Sequence, residues 1–315
     1  MATTGTAGVR SRLALLVMAC VIPAVLMALV LVSHLYGRER ERFVFDSMAT
    51  ARAMTQAIDR ELASVRMAAE VLSTSPYLQS GDLAGFYSQA KTVVRRQIGH
   101  NVVLSDATGQ QLVNTLAALG DPLPQHANPA QLRTVFETGR PVLSDVYVGA
   151  VLQRPLMSID VPVFRGGNVV YDLSIGVQLD RFVKLLNDQR LPPNWLAVVF
   201  DSRGNIAARG RDTGRFVGKM GAPELLKRMR EVSEDSLEMT SIEGTRMLAV
   251  FSRSAESNWT VALGIPAQEL NGELGQSLWW FVIGAAILTL ASLGVAWVIG
   301  GRISRPNPEP KPNQV

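Results

Sequence analysis

The chain has one cysteine in 315 residues, and Cys20 lies inside an apolar run. No disulfide framework is available, so any extracytoplasmic domain must be held by its core alone. Histidine is as scarce. His34, His100 and His126 are the only three, and they stand in unrelated contexts without metal-ligand spacing. No G-x-S-x-G, phosphate-binding loop or paired-carboxylate motif occurs, so no nucleophile or acid–base pair is legible. The sequence predicts a protein that is not an enzyme and carries no cofactor or metal. The net charge of +4 comes from scattered basic residues rather than a cluster, which excludes a nucleic-acid footprint. Sustained polarity is missing too. Hydrophobic residues make up 47% of the chain, and the mean hydropathy is +0.15.

Two uncharged stretches account for that hydropathy: residues 13–32 and 278–299. Each has the roughly 20 residues needed to cross a bilayer as a helix. Glu269 and Glu273 precede the second, and Arg302, Arg305 and Lys311 follow it. Basic flanks remain in the cytoplasm, which would put both termini inside and the middle of the chain outside.

Between these stretches, residues 44–72 carry a seam: Val44, Met48, Ala51, Thr55, Ile58, Leu62, Val65, Ala69 and Leu72. Steps of four and three alternate, and only Thr55 is polar. This is the pattern of a long helix that packs along its length. The same stripe could back a sheet or meet a second copy. The seam divides on this expectation, with the end near Met48 facing a partner and the part from Ile58 onward facing the chain's own sheet.

After the helix the sequence becomes strand-like, and one figure appears twice. Asp106-x-x-Gly109 and Asp201-x-x-Gly204 each follow an apolar strand and open a similar run of elements. In such a turn the aspartate caps the backbone and the glycine takes positive φ. Two copies argue for internal duplication. Asn128-Pro129 starts a short helix that Gly139 stops. Strands are predicted over 142–148, 156–164 and 169–179, and Gly166-Gly167-Asn168 joins the last two. In the second copy a helix is expected over 223–232, with strands over 237–242, 246–252 and 259–265.

This order resembles the double-Cache sensor domain, the PAS-like extracytoplasmic module of bacterial sensor histidine kinases, diguanylate cyclases and chemoreceptors. The residues that carry the resemblance are the two Asp-x-x-Gly turns, Val161-Pro162-Val163, Phe216-Val217-Gly218, Asn258-Trp259-Thr260-Val261 and Gly264-Ile265-Pro266. The expected fold class is α+β, with two transmembrane helices flanking a long stalk helix and two tandem antiparallel-sheet modules. The expected divisions are a cytoplasmic tail (1–12), a first transmembrane helix (13–34), the stalk (35–78), a membrane-distal module (79–190), a membrane-proximal module (191–275), a second transmembrane helix (278–300) and a Pro-rich cytoplasmic tail (301–315). The chain would sit in the inner membrane with its sensor domain extracytoplasmic.

In that family the distal module usually holds a small-molecule ligand. Alternation gives its sheet one polar face, with Ser158 and Asp160 on one strand and Asp172, Ser174 and Gly176 on the next. Tyr147 and Arg154 flank it. The candidate ligand-binding residues are therefore Tyr147, Arg154, Ser158, Asp160, Asp172 and Ser174. An ordinary solvated sheet face is the competing expectation. The Arg-x-x-Trp pair of the amino-acid-binding branch is absent, and its strand aspartate falls at or near Gly176. Expected partners are an unidentified small organic metabolite, membrane lipid, a second copy through the stalk, and a separate kinase or chemotaxis protein. Residues 301–306 look like the opening of a HAMP linker, and the expected function is a membrane-bound small-molecule sensor without catalytic output of its own that transmits ligand state through helix movement. The alternatives are a truncated kinase fragment and a dimeric interaction or decoy subunit without a ligand.

Overall fold

The computed structural model describes residues 5–95 and 99–268, together with scattered residues between 280 and 295. The chain divides into two units, residues 1–43 with 268–315, and residues 44–267.

The first unit contains the beginning of helix α1 (Gly5–Ser73). Two membrane-spanning helices were expected here, and the described structure does not supply them. Among the described residues no helix is long and apolar enough to cross a membrane. α1 has the length, with 69 residues. Beyond residue 32 it turns polar, with Arg38, Glu39, Arg40, Glu41 and Arg42 in succession, and Arg42 pairs with Glu39 at 3.7 Å. Most of residues 278–300, and all of the tail 301–315, lie outside the described residues.

The second unit begins within α1. From Ala51 to Leu72 the predicted seam is buried, and Met54 joins it. Burial thus starts earlier than the expected division at Ile58. Thr55, the one polar member, donates its hydroxyl to Ala51 O at 3.0 Å and to Ser252 O at 3.1 Å. Its place in an apolar stripe is thereby explained: the hydroxyl satisfies a backbone carbonyl of the sheet on which the helix lies.

Two short elements follow, α2 (Pro76–Ser80) and α3 (Leu83–Arg95), and then two sheets built on one plan. The first contains β1 (Asn101–Ser105), β2 (Gln111–Asn114), β3 (Val142–Leu143), β4 (Tyr147–Val148), β5 (Pro155–Arg165) and β6 (Asn168–Gln178), with α4 (Pro129–Thr138) between β2 and β3. Its order is β2-β1-β6-β5-β3, with β4 also pairing β5. After α5 (Asp180–Asp188), the second contains β7 (Leu196–Phe200), β8 (Ile206–Arg209), β9 (Glu234–Thr240), β10 (Arg246–Arg253) and β11 (Thr260–Pro266), with α6 (Thr213–Phe216) and α7 (Pro223–Glu231) between β8 and β9. Its order, β8-β7-β11-β10-β9, repeats the first.

The two Asp-x-x-Gly turns open each copy as their chemistry requires. Asp106 Oδ1 accepts from Thr108 N and Gln110 N at 2.9 and 3.0 Å, and Gly109 has φ +88°. Asp201 Oδ1 accepts from Arg203 N and Asn205 N at 3.0 and 2.8 Å, and Gly204 has φ +89°. L-residues other than Gly are disfavoured at such φ.

One apolar core joins both sheets to α1. It contains Ile58, Leu62 and Val65 from α1, Met157, Ile159, Leu173 and Ile175 from the first sheet, and Val199, Val261 and Leu263 from the second. Phe182 of α5 and Trp259 meet within it, with ring centroids 5.4 Å apart. A second core lies between the other face of the second sheet and α7, formed by Phe200, Leu225, Leu226, Met229 and Phe251 among others.

Candidate functional site

The far face of the first sheet is built from alternate residues of three strands. Asn101 and Ser158 flank Gly176, and Val103 and Asp160 flank Ser174. Ser105 and Pro162 flank Asp172. Alternation alone puts these side chains together, because successive residues of a strand point to opposite faces. Burial is a separate matter. α4 packs over this face through Leu132 and Val135, and the loop leading into it closes the remaining side. Asn128 caps α4 by accepting from Gln131 N, and Gly139 ends the helix in the left-handed conformation. The polar face is therefore not the solvated surface that a half-exposed antiparallel sheet would present.

Asp160 and Asp172 have no exposed surface. Ser174 Oγ donates to Asp160 Oδ1 at 2.5 Å. Asp160 Oδ2 and both oxygens of Asp172 accept no hydrogen bond, and Asn101 Oδ1 on the same face accepts none. Burial pushes the Asp160 carboxyl above its ordinary range, opposed by His126 and the hydroxyls of Ser174 and Ser158. Burial pushes Asp172 well above it, and the charge of Asp160 adds to the rise. Both effects disfavour a second negative charge in a water-poor site.

His126 enters from the loop before α4. Its side chain is 4% exposed, and Nε2 stands 3.6 Å from Asp160 Oδ2 and 3.5 Å from Asp172 Oδ2. Nδ1 accepts from Asn128 N at 3.1 Å. The sequence showed His126 only as one of three histidines without metal-ligand spacing. No period connects it to the two aspartates, and its proximity to the Asn128-Pro129 helix start was the only local sign of where it would lie.

Beside the triad is a cavity of about 30 Å³, lined by Asn101, Gln111, Asn114, His126, Tyr147 and Ser174 among others. Of the sequence candidates, Tyr147 and Ser174 border the cavity. Ser158 lies buried on the same sheet face, where its Oγ accepts from Gln131 Nε2 at 3.4 Å. Asp160 and Asp172 stand next to the cavity through His126. Burial pushes the Tyr147 hydroxyl up, and the charges of Asp160 and Asp172 act in the same direction. Arg154 does not join this group. It is exposed in the loop between β4 and β5, where its carbonyl accepts from Gly149 N at 3.1 Å.

The segment that leads into β4 and Tyr147 is tied to the turn that opens the second sheet. Val146 N donates to Asp201 Oδ2 at 3.1 Å. Asp145 Oδ1 accepts from Ser202 N and Ser202 Oγ at 3.0 and 2.6 Å. Arg203 Nε pairs with Asp145 Oδ2 at 2.9 Å. One wall of the first module's cavity is thus bonded to the opening turn of the second.

No family model matches the sequence, and no curated protein does. Solved structures do match in fold. The chain is similar to methyl-accepting chemotaxis protein X, with TM-score 0.61 at 14% identity over 72% of this chain and 99% of that one. It is similar to the extracellular domain of histidine kinase rpHK1S-Z16, with TM-score 0.60 at 11% identity over 74% and 98%. It is also similar to the ligand-binding domain of the Pseudomonas fluorescens chemoreceptor CtaA in complex with L-isoleucine, with TM-score 0.59 at 15% identity over 74% and 96%. The chain shares its fold with these extracellular domains of a kinase and of chemoreceptors, the fold expected from the double-Cache resemblance.

Proposed function

We propose that the chain is an extracytoplasmic small-molecule sensor that binds its ligand in the first module and passes occupancy to the second. The observation that carries this reading is the cavity beside a buried polar face on which three of the four carboxylate oxygens and the Asn101 amide oxygen accept nothing. Buried acceptors without donors cost about 1–3 kcal/mol each, so a ligand that brings donors or positive charge is stabilised there. Tyr147, Ser158, Asp160, Asp172 and Ser174 are the contacts we assign, with Asn101 and His126 added. Arg154 is left out because it stands in solvent.

The amino acids named with similar domains, L-isoleucine and asparagine, are not assumed here. The Arg-x-x-Trp pair of that branch is missing from the sequence, and its aspartate position falls at or near Gly176. A small polar molecule rich in donors suits the site better. A cavity of about 30 Å³ has room for roughly two water-sized groups, so anything larger must displace the adjoining Gly149–Leu152 loop.

Two connections suit transmission. The bonds from Asp145 and Val146 to Asp201, Ser202 and Arg203 link the cavity wall to the second sheet. The shared core links both sheets to α1. A shift of Tyr147 on ligand entry would therefore be felt by the second module and the long helix together. The test is a thermal-shift screen of the purified full-length chain against a library of small polar metabolites. A hit should raise the melting temperature of wild type and not of Asn101→Leu, which places in the cavity wall the residue found at the matching position of the second sheet. A complete absence of hits across organic acids, amines and sugars would sink the proposal.

A further inference from the structure

The triad of His126, Asp160 and Asp172 has a geometry that hydrogen bonding does not account for. The Nε2 to oxygen separations of 3.5 and 3.6 Å exceed the 2.7–3.2 Å of an ordinary N–H···O bond. One oxygen or nitrogen from each residue can be chosen so that all lie within 4.8 Å of one another. Donors bonded at about 2.0–2.2 Å to one tetrahedral metal stand roughly 3.4 Å apart. The three side chains thus approach the spacing of a coordination shell and not that of a hydrogen-bonded cluster.

Charge points the same way. Three of the four carboxylate oxygens accept no hydrogen bond, and the side chains of all three residues are at most 4% exposed. No lysine or arginine takes part in the triad. A single dipositive ion would neutralise both carboxylates and occupy their free lone pairs. An imidazole with two carboxylates suits zinc-like first-row cations. Calcium takes six to eight oxygens and magnesium keeps an octahedral, largely hydrated shell, so three donors with one imidazole suit neither.

We infer that His126, Asp160 and Asp172 form a binding site for one divalent first-row transition metal, with its open coordination position facing the cavity bordered by Tyr147, Ser174 and Asn101. This rests on the small-molecule reading above and deepens it, since the ion becomes either the sensed species or the anchor for a ligand that completes its shell. A helical consequence follows from the histidine. A neutral ring whose Nδ1 accepts from Asn128 N carries its hydrogen on Nε2. Metal on Nε2 displaces that hydrogen; Nδ1 then takes a proton, and the Asn128 N–H contact is lost. Asn128 is also the N-cap of α4, so metal entry acts on the start of the helix that covers the site.

The test uses the full-length chain stripped with chelator and then titrated separately with zinc, manganese and magnesium chlorides. Zinc should bind at one equivalent and raise the melting temperature by about 5 °C or more at a hundredfold excess over Kd. Magnesium should do neither. The near-isosteric Asp160→Asn and Asp172→Asn variants, and His126→Gln, should each weaken zinc at least tenfold while their far-ultraviolet circular dichroism stays unchanged. Failure to bind zinc, or binding that the three variants leave intact, overturns the metal site. Should any variant not fold, crystallography of the zinc-soaked wild type decides the point, because density away from His126 overturns the proposal equally. The metabolite screen repeated in excess chelator separates the two ideas. A metabolite shift that persists there keeps the sensor reading and removes the metal from it. A zinc shift with no metabolite shift keeps the metal and removes the organic ligand.

Discussion

The two sheets share strand order and register, yet matching positions carry opposite chemistry. In the first sheet Gly176 is flanked by Asn101 and Ser158, and Ser174 by Val103 and Asp160. In the second, Gly264 is flanked by Leu196 and Ala249, and Ala262 by Val198 and Phe251. Asp172 corresponds to Thr260 by the same count. The covered face of the second sheet is an apolar core beneath α7. The covered face of the first is a polar site beneath α4, where three of the four carboxylate oxygens accept no hydrogen bond. Duplication preserved the scaffold, and a few side chains decide which copy is filled from within and which is left to be filled by something else. Even the cavities follow suit. The second module has one of about 50 Å³ lined largely by apolar residues such as Leu196, Val198, Phe200 and Met239.

That contrast can be broken or sharpened by experiment. The largest effect should come from Trp259→Ala. Trp259 is 2% exposed and lies in the core that joins both sheets to α1. Truncation should cost about 3–5 kcal/mol, and both modules should unfold in one transition. Two separate transitions in denaturant would show that the modules do not share a cooperative core.

Next come the paired turns. Asp201→Ala should cost about 2 kcal/mol, because it strips acceptors from Arg203 N and Asn205 N and also from the buried link to Val146 N. Asp106→Ala, which breaks only its own turn, should cost about 1 kcal/mol. Equal losses in urea melts would deny Asp201 its second role.

Removing the charges from the first sheet should have the opposite sign. The double variant Asp160→Asn, Asp172→Asn should make the ligand-free protein more stable by about 1–2 kcal/mol, with all response to metal and metabolite lost. A destabilised double variant would mean that the carboxylates already serve the empty fold.

The smallest effect lies on the second sheet. Glu234 takes a bidentate pair from Arg52 of α1, with Nε and Nη2 within 2.9 Å of its oxygens. Arg52 holds the Glu234 carboxyl below its ordinary range, and Ser252 assists. A lowered folded-state value means that the carboxylate adds stability above the ordinary glutamate range, near pH 4.5. That stability fades as the pH falls through the lowered value. The difference between wild type and Glu234→Gln should be under about 1 kcal/mol at pH 6 and should vanish once the pH falls below the lowered value. A difference that persists in acid would assign the effect to packing.

Features that depend on neighbours in the chain were legible in the sequence. The stripe from Ala51 to Leu72, the two Asp-x-x-Gly turns and the alternation that gathers Ser158, Asp160, Asp172 and Ser174 all follow from local periods or local caps. The membrane-spanning helices expected from apolar runs did not carry over to the described structure, because hydropathy along a chain does not by itself establish a spanning helix. Arg154 shows the same limit on a smaller scale. A residue next to a strand end in sequence can point into a site or, as here, into water.

Sequence by itself determined that one sheet face would be polar and the other apolar, since that is set by a period of two. Whether the polar face meets solvent or protein is set by what packs above it, and α4 and the His126 loop arrive there through contacts between segments far apart in the chain. Tertiary structure alone closed that face and stripped its carboxylates of water. It also brought the imidazole of His126 to within 3.6 Å of both. A carboxylate in water has no need of a partner, but a buried one does.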